Sequence, residues 1–353
     1  MKKALIAMSG GVDSSVAALI MKNKGYECIG CTMKLYDGPD DAREGTCCSL
    51  SDVEDARSVC MRLGIKYYVF NFKDEFKEKV IDKFIGCYLC GQTPNPCIEC
   101  NDHLKFDKLY ERAKILGYDY VVTGHYAQIV EHADGSFHLL EGPDPVKDQS
   151  YVLYRMTQTQ LASTLFPLGS MSKEETRLLA EENNFINANK KDSQDICFVP
   201  DGDYAAVIEQ YIGRKCEPGN FVDTKGNILG THKGIIHYTI GQRKGLGISA
   251  EHPLYVIRID VPNNQVILGT NDELFTTKLT AKEASWTQNT IPDKPFEAQV
   301  RIRYHGKKVP ATVIPTGPDS FDVNFKEGVR AITPGQAAVI YIGSEVIGGG
   351  VIQ

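Results

Sequence analysis

The chain has 353 residues, of which 42% are hydrophobic and 24% charged, and its formal net charge is −6. This length exceeds one ordinary hydrophobic core, so we expect two or three domains of soluble globular composition. No apolar run approaches the ~20 residues that cross a bilayer, and the N-terminus lacks a signal-peptide core, so we expect no membrane contact and a cytoplasmic location.

The first part of the chain alternates short apolar segments with helical patterns. The predicted strands cover 4–8, 27–33, 67–70 and 120–123, and the predicted helices cover 12–24, 52–63 and 103–116. Strands that alternate with helices at this spacing indicate a parallel sheet with helices on both faces. We therefore predict a Rossmann-like α/β domain over residues 1–200.

The pattern changes near residue 200, after a capping box at 172–175 that predicts one more helix. Two alternating segments, 255–259 and 266–268, flank the turn at 262–264 and predict a hairpin. Alternation of the same kind continues at 298–304, 311–314, 321–325 and 338–342. We predict two smaller β-rich domains, a tRNA-binding one over 201–272 and a β-barrel over 273–353.

The distribution of charge bears on nucleic-acid binding. The net negative charge argues against it, because binding phosphates requires Lys and Arg. Six basic residues nevertheless lie between 205 and 250, against three acidic ones: Arg214, Lys215, Lys225, Lys233, Arg243 and Lys244. Composition alone does not distinguish a basic face from a solvated surface of mixed charge.

A glycine-rich segment, Ser9–Ser15, connects the first predicted strand to the first predicted helix. Glycines let the backbone approach a phosphate, and a helix N-terminus offers N–H groups and positive potential. The segment lacks the Lys of a Walker A motif and is not GxGxxG. A capped glycine turn is the alternative, but the position of all seven residues favours a phosphate loop. The loop resembles the PP-loop of the N-type ATP pyrophosphatases, which are adenine nucleotide alpha hydrolase-like and adenylate a carbonyl or carboxyl oxygen.

The eleven cysteines suggest either reduced thiols or a reactive site. Cys87, Cys90, Cys97 and Cys100 have CxxC spacing, which is typical of zinc or iron–sulfur ligands and also of redox or nucleophilic chemistry. Their six-residue gap is shorter than that of most zinc ribbons, so the four need not share one metal. A second motif, 192–198, contains Cys197. We expect structural roles for Cys28, Cys31, Cys60 and Cys216.

Several motifs together identify a family. Thr93-Pro94-Asn95-Pro96 is followed by Cys100-Asn101, and four further motifs occur in order at 124–127, 147–150, 193–198 and 241–247. In this order they resemble the bacterial tRNA 2-thiouridylase (MnmA) family, and the likeness covers essentially the whole chain. The resemblance implies that ATP and Mg²⁺ activate C2 of the wobble uridine (U34), and that sulfur then replaces its oxygen. The tRNAs would be those for Lys, Glu and Gln.

The resemblance also implies roles for residues. Cys197 would receive sulfur as a persulfide from a cysteine desulfurase or relay protein. Cys100 would be the nucleophile, leaving a Cys100–Cys197 disulfide to be reduced, and Asp13 would belong to the catalytic set. The expected nucleotide contacts are Ala7, Met8, Ser9, Gly10, Gly11, Val12, Asp13, Ser14, Met33 and Gly124. The expected tRNA contacts are Asn95, Pro96, Cys97, His125, Lys147, Asp148, Gln149, Arg303, Tyr304 and Gln336.

Cys97 departs from the family pattern, which has Asp at this position. The Asp is a proposed acid/base group, and a thiol, with its ordinary pKa of ~8.5, could serve likewise. Alternatively, Cys97, Cys100 and Cys197 could hold a [4Fe–4S] cluster whose fourth iron binds sulfide. Both mechanisms stay open at this point. Cys47, Cys48, Cys87 and Cys90 could be further ligands, a relay, or neither.

Two other functions compete with thiolation. Another PP-loop enzyme, such as a carboxylate amidotransferase, would need neither the three cysteines nor basic β domains. A non-catalytic RNA-binding module with a structural zinc would not need the phosphate loop.

Overall fold

The computed structural model describes residues 1–36, 50–192, 196–199, 202–288 and 290–353. Cys47, Cys48 and part of the Cys197 motif, 193–195, lie outside the described residues. Within the described ranges, no helix has the length and apolar character that crossing a membrane requires.

A five-stranded parallel sheet forms the N-terminal part, in the order β3-β2-β1-β4-β7. Strands alternate their side chains between two faces, so Ile6 enters one apolar cluster and its neighbour Leu5 enters another. The strands that precede the central β domain are β1 (Lys3–Ala7), β2 (Glu27–Lys34), β3 (Lys66–Asn71), β4 (Tyr120–Val122), β5 (Ala127–Glu131), β6 (Phe137–Glu141) and β7 (Thr164–Leu165).

Helices cover both faces of this sheet, which confirms the predicted α/β fold. The predicted helix at 103–116 starts earlier, as a π-helical segment over Cys100–Lys108. A second π-helical segment, Lys77–Ile81, joins two α-helices. The α-helices are α1 (Val12–Asn23), α2 (Leu50–Leu63), α3 (Lys73–Phe76), α4 (Asp82–Leu89), α5 (Pro96–Glu99), α6 (Leu109–Ile115), α7 (Gln158–Ala162), α8 (Lys173–Glu182) and α9 (Tyr204–Ile212).

A small four-stranded sheet follows, in the order β10-β11-β8-β9. The predicted hairpin is confirmed, since β10 and β11 pair antiparallel, while β11 and β8 pair parallel. Phe221, Val256 and Val266 are fully buried in its core. The strands are β8 (Gly219–Asp223), β9 (Ile228–His232), β10 (Tyr255–Asp260) and β11 (Gln265–Gly269).

The C-terminal strands form a closed antiparallel barrel, as predicted. They are ordered β12-β15-β14-β13-β16-β17, and β17 pairs with β12 to close the ring. Closure leaves none of these six strands as an open edge. The strands are β12 (Phe275–Trp286), β13 (Phe296–Arg301), β14 (Val309–Gly317), β15 (Ser320–Arg330), β16 (Ala337–Ile342) and β17 (Glu345–Ile352).

The N-terminal part is joined to the barrel, a feature that the sequence did not predict. The hairpin β5–β6 extends the barrel's sheet, with Leu140 of β6 opposite Glu345 of β17. Arg301 of the barrel binds Glu141 and Asp148, each at 2.9 Å. These contacts fix the barrel against the N-terminal part.

Candidate active site

The phosphate loop lies between β1 and α1, as predicted. Gly11 is the N-cap of α1 and has no side-chain cap, so the first N–H groups of the helix stay available to an anion. Ser14 and Ser15 each donate their hydroxyl to the Gly11 carbonyl at 3.0 Å. Asn187 donates to the Gly10 carbonyl at 2.8 Å, which helps to hold the loop in place.

Two glycines are required by close packing at this loop. Gly10 has φ +77°, and a Cβ there would lie 2.4 Å from the Asp52 carbonyl oxygen. Gly124 follows β4, and a Cβ there would lie 2.8 Å from the backbone carbon of Asp13 and 2.9 Å from the Ser14 nitrogen. At both points two stretches of backbone are in close contact, and only glycine, which has no Cβ, allows this approach.

The other expected nucleotide contacts surround the same edge of the sheet. Ala7 ends β1 and Met33 stands near the end of β2, and both side chains are partly buried. Met8 and Val12 are each only 2% exposed.

Asp13 belongs to a partly buried chain of alternating charges. Lys173, at the first turn of α8, donates to both Asp13 carboxylate oxygens at 2.7 and 2.9 Å. The same Lys173 lies 2.7 Å from Asp192, which also binds Lys147 at 2.7 Å. Burial alone would raise the pKa of Asp192. The hydrogen bonds from Lys147 and Lys173 have the larger effect, so the pKa is lowered overall. Tyr126 donates its hydroxyl to Asp13 at 2.7 Å.

The segment with Cys97 and Cys100 is a short helix capped by Asn95. The Asn95 side chain accepts from the Cys97 N–H at 3.1 Å, and Pro96 occupies the first helical position, where its missing N–H costs nothing. Cys97 is exposed and Cys100 partly buried. Glu99, between them, turns inward and binds Arg155 at 2.9 Å.

Cys197 lies on the turn 196–199. Its carbonyl oxygen accepts from the Tyr36 hydroxyl at 2.5 Å, and the next residue, Phe198, packs edge-on against Phe84 and Phe76. Cys197 and Cys100 both pack against the apolar cluster that contains Phe198. Ala7 and Met33 of the nucleotide edge contact the same cluster. Both predicted reactive thiols and the nucleotide edge therefore border the same apolar cluster.

Gln149 and Cys97 both interact with Tyr304 of the barrel. Burial raises the pKa of the Tyr304 hydroxyl, which interacts with the Gln149 side chain and with the Cys97 thiol. Gln149 in turn accepts from the Tyr126 N–H at 3.0 Å, beside Asp13. The barrel residue Tyr304 thus contributes to the wall of the site in the N-terminal part.

Four expected tRNA contacts are engaged inside the protein. Asp148 is 4% exposed and accepts from Ser150 and Arg301, both at 2.9 Å. His125 is 7% exposed and shares a 2.6 Å hydrogen bond with Thr123, and burial lowers its pKa well below the ordinary value. The other two are Lys147, which binds Asp192 at 2.7 Å, and Gln336, which donates to the Thr93 carbonyl at 2.7 Å.

A metal site is not supported by the arrangement of the described residues. Among them, no three His, Cys, Asp or Glu side chains lie close enough together to hold a metal ion. Cys97, Cys100 and Cys197 are all described, and they are not grouped as the ligands of one metal ion. The two CxxC pairs likewise do not form a zinc site.

Three of the four cysteines expected to be structural are buried, and the fourth, Cys216, is partly buried. Cys28, Cys31 and Cys60 are buried, and burial raises the pKa of Cys28 to about 11 and of Cys60 to about 12. Such thiols are poorly reactive at neutral pH. Cys87 and Cys90 close helix α4, with Cys90 exposed.

Two functional candidates were missed from the sequence, Lys173 and Arg155. The sequence did contain an indication for Lys173. A Lys in the first turn of a helix is unfavourable for the helix dipole, which suggests that the residue has another role. No local pattern indicated a role for Arg155, because its partners, Glu99 and Glu283, lie far away in the sequence.

Family models match three consecutive stretches of the chain. Residues 2–201 match "tRNA methyl transferase HUP domain", residues 205–270 match "tRNA methyl transferase PRC-barrel domain", and residues 276–352 match "Aminomethyltransferase beta-barrel domain". These descriptions name methyl transfer, and the activity class is identified instead by the relatives that match over the full length.

Curated relatives match the chain from end to end. The tRNA-specific 2-thiouridylase MnmA of Clostridioides difficile is 51% identical, covering 100% of this chain and 98% of the relative. The protein of the same name from Clostridium beijerinckii is 50% identical, with coverage of 100% and 99%. A solved 4-thiouridine synthetase–RNA complex with bound ATP has 18% identity and a TM-score of 0.36, over 60% of this chain and 50% of that chain, too distant to bear on function. The chain therefore belongs to the tRNA-specific 2-thiouridylase family.

Proposed function

We propose that this chain uses ATP to replace the C2 oxygen of the wobble uridine in tRNA with sulfur. As a member of its family the chain is a tRNA sulfurtransferase. One observation supports the detailed proposal most strongly. The nucleotide edge, through Ala7 and Met33, and the thiols of Cys100 and Cys197 all contact the same apolar cluster.

Activation takes place at the phosphate loop. The loop backbone and the N-terminus of α1 would bind the phosphates, and Asp13 would hold Mg²⁺ with them. The uridine C2 oxygen attacks the α-phosphorus and pyrophosphate leaves, so AMP becomes the leaving group on C2. The target base would be flipped toward Asn95, Pro96 and Cys97.

Sulfur transfer follows at the thiols. The terminal sulfur of a Cys197 persulfide forms the bond to C2, and the bond from C2 to the AMP oxygen breaks. The Cys100 thiolate attacks the inner sulfur of Cys197, which breaks the persulfide bond and leaves a Cys100–Cys197 disulfide. Two electrons from an external thiol reductant restore both cysteines. Cys97 stands beside the base as the acid/base group.

The partners and the division of labour follow from this proposal. The substrates would be the tRNAs for Lys, Glu and Gln, and a cysteine desulfurase or relay protein would load Cys197. Residues 1–200 would carry the chemistry, while residues 201–272 and the barrel at 273–353 would bind the tRNA.

The test is a thiolation assay on unmodified tRNA with anaerobically purified protein. The measured products are AMP, pyrophosphate and 2-thiouridine, together with bound iron and sulfide. We expect metal-free protein to be active, Cys197→Ser to bind tRNA without forming thiouridine, and Asp13→Ala to release no AMP. Activity that requires bound iron would replace the persulfide steps by cluster chemistry, and AMP release by Asp13→Ala would remove Asp13 from the mechanism.

A further inference from the structure

Two arginines of the barrel converge on one loop of the central domain. Arg303 follows β13, and Arg330 is the last residue of β15. A Cβ placed on Gly241 would lie 3.6 Å from Nη1 of Arg330 and 3.9 Å from Nη2 of Arg303. Both guanidinium groups therefore face the same point of the loop at 239–247. That loop also carries the exposed residues Arg243 and Lys244.

The hydrogen-bond partners of this arginine pair are neutral. Arg303 donates to the Ala331 carbonyl at 2.6 Å, and Arg330 donates to the Asn271 side chain at 3.0 Å while its guanidinium stacks over Tyr255 at 5.2 Å. Within the described ranges, neither arginine forms an ion pair with a carboxylate. Burial, and after it the charge of Arg330, lowers the pKa of Arg303 below its ordinary value.

Two neighbouring cations of the barrel, by contrast, are paired with carboxylates. Arg301, two residues before Arg303, binds Glu141 and Asp148. Lys326, on the same strand as Arg330, binds Glu297 at 2.6 Å. Two half-buried guanidinium groups without an acid repel each other, so an anion between them is strongly favoured.

The position of the arginine pair suggests which kind of anion would bind between the two side chains. Tyr304 follows Arg303 directly and interacts with the Cys97 thiol, where the proposed target base lies. Ala331, which accepts from Arg303, is buried and has φ +54°, a conformation that is rare for a residue with a Cβ and fixes this carbonyl toward the guanidinium.

We propose that Arg303 and Arg330 together bind a phosphodiester group of the tRNA next to the flipped uridine. This rests on the proposed function. It adds Arg330 and a defined ligand group to the expected tRNA contact of Arg303. The planar guanidinium groups match the geometry of phosphate oxygens, and such contacts fix the register of the RNA without reading its sequence. Arg243 and Lys244 extend the same positive surface toward neighbouring phosphates.

The experiment measures tRNA binding by fluorescence anisotropy over a range of KCl concentrations, without ATP or a sulfur donor. Each phosphate contact on single-stranded nucleic acid contributes about 0.7 to the slope of log Kd against log salt. We expect Arg330→Ala to lower the slope by about this amount and to weaken binding roughly 3- to 10-fold. Lys326→Ala removes the same charge from the same strand but from an existing ion pair, so its slope should match the wild type.

Three results would overturn the proposal. The first is an unchanged slope for Arg330→Ala, and the second is an equal loss for Lys326→Ala. The third uses inorganic phosphate as a probe: if Arg330→Ala abolishes thermal stabilisation by phosphate while the tRNA slope is kept, the pair binds free phosphate instead.

A second variant guards against misfolding. Arg330→Lys keeps the charge but loses the forked geometry, so we expect a slope near the wild type with weaker binding. Unchanged binding by this variant would count against the site. Because none of these measurements uses turnover, they remain decisive even if the thiolation proposal fails.

Discussion

Lys173 donates to both carboxylate oxygens of Asp13, at 2.7 and 2.9 Å, and lies 2.7 Å from Asp192 as well. A buried cation from helix α8 therefore lies beside the phosphate loop, although the loop sequence itself lacks a lysine. Since Lys173 is only 8% exposed and binds two acids, its ammonium group balances negative charge where the triphosphate would enter. If Asp13 held Mg²⁺ with a bound nucleotide, as proposed above, Lys173 would become available to the phosphates.

We predict that Lys173→Met raises the KM for ATP at least about tenfold, because one charge-assisted contact to phosphate is worth roughly 1.5 kcal/mol or more. Stability should fall by about 2 kcal/mol, less than for a fully buried pair because Asp13 is 32% exposed. Pyrophosphate release at varied ATP measures the first effect, and thermal melting measures the second.

The control for Lys173 is Lys190→Met. Lys190 also binds two acids, Asp52 at 2.7 Å and Asp55 at 2.6 Å, but it does not bind Asp13. We expect it to lower stability and to change the KM for ATP much less than Lys173→Met does, because it touches the phosphate loop only through Asp52, which packs against Gly10. An equal rise in KM for both variants would mean that Lys173 acts only through the fold.

Arg155 is predicted to position the helix that carries Cys97 and Cys100. It is buried against Glu99 at 2.9 Å and reaches Glu283 of the barrel at 3.2 Å. Arg155→Met leaves Glu99 without its closest guanidinium partner, so we expect a stability loss of about 3 kcal/mol. We also expect faster alkylation of Cys100, because this thiol is partly buried while the helix is held in place.

The matched control is Arg62→Met. Arg62 is exposed and donates to the Asn183 carbonyl at 2.7 Å, far from the cysteine helix in sequence. Melting temperature and the rate of thiol alkylation are measured for both variants. If Arg155→Met melts and reacts like Arg62→Met, the ionic contacts of Arg155 do not hold the helix.

Glu99 makes stability depend on acid pH. Burial raises its pKa, but the nearby His103, 3.3 Å away, and the charges of Arg155 and Lys83 lower it more, to about 2 against an ordinary value of 4.5. A carboxyl with a lowered folded pKa stabilises the protein fully above its unfolded pKa and loses this effect as the pH falls toward the folded pKa. The window is therefore pH 4.5 down to 2, and the full effect is up to ~3 kcal/mol.

The test compares Glu99→Gln with the wild type in melting experiments from pH 7 to pH 3. We expect the variant to be less stable at pH 7 and the difference to shrink below pH 4.5. Glu78→Gln serves as the control, since Glu78 pairs with Lys79 on an exposed surface. A constant difference between wild type and Glu99→Gln across this range would contradict the lowered pKa.

Sequence patterns predicted the parts of the fold that depend on local periodicity. The strands of the parallel sheet, the hairpin β10–β11 and the closed barrel follow from alternation and turn residues that are near each other in the chain. The hairpin β5–β6 joins β17 across about 200 residues of sequence, and no local pattern encodes that pairing.

The candidate site was predicted unevenly for a related reason. The phosphate loop was found because the strand, the glycines and the helix are contiguous. His125 and Asp148 belong to motifs of the family, yet both are buried and hydrogen-bonded within the protein. A motif alone does not distinguish a residue that contacts RNA from one that holds a loop in place.

Gly124 offers a test of the close approach between β4 and the phosphate loop. A Cβ at this position would lie 2.8 Å from the backbone carbon of Asp13, and backbone atoms on both sides cannot move away as a flexible side chain could. We predict that Gly124→Ala displaces the loop and weakens ATP binding more than about tenfold, with a stability loss of about 1–3 kcal/mol from overpacking. Isothermal titration with ATP and thermal melting measure the two effects.

The control for Gly124 is Gly86→Ala in the interior of α4, where a Cβ would meet no atom within 4 Å. Alanine is the better helix former, so this variant should gain about 0.5–1 kcal/mol and bind ATP normally. Normal ATP binding by Gly124→Ala would show that the nucleotide does not need this contact. In that case the phosphates would have to be held by the helix N-terminus and Lys173 alone.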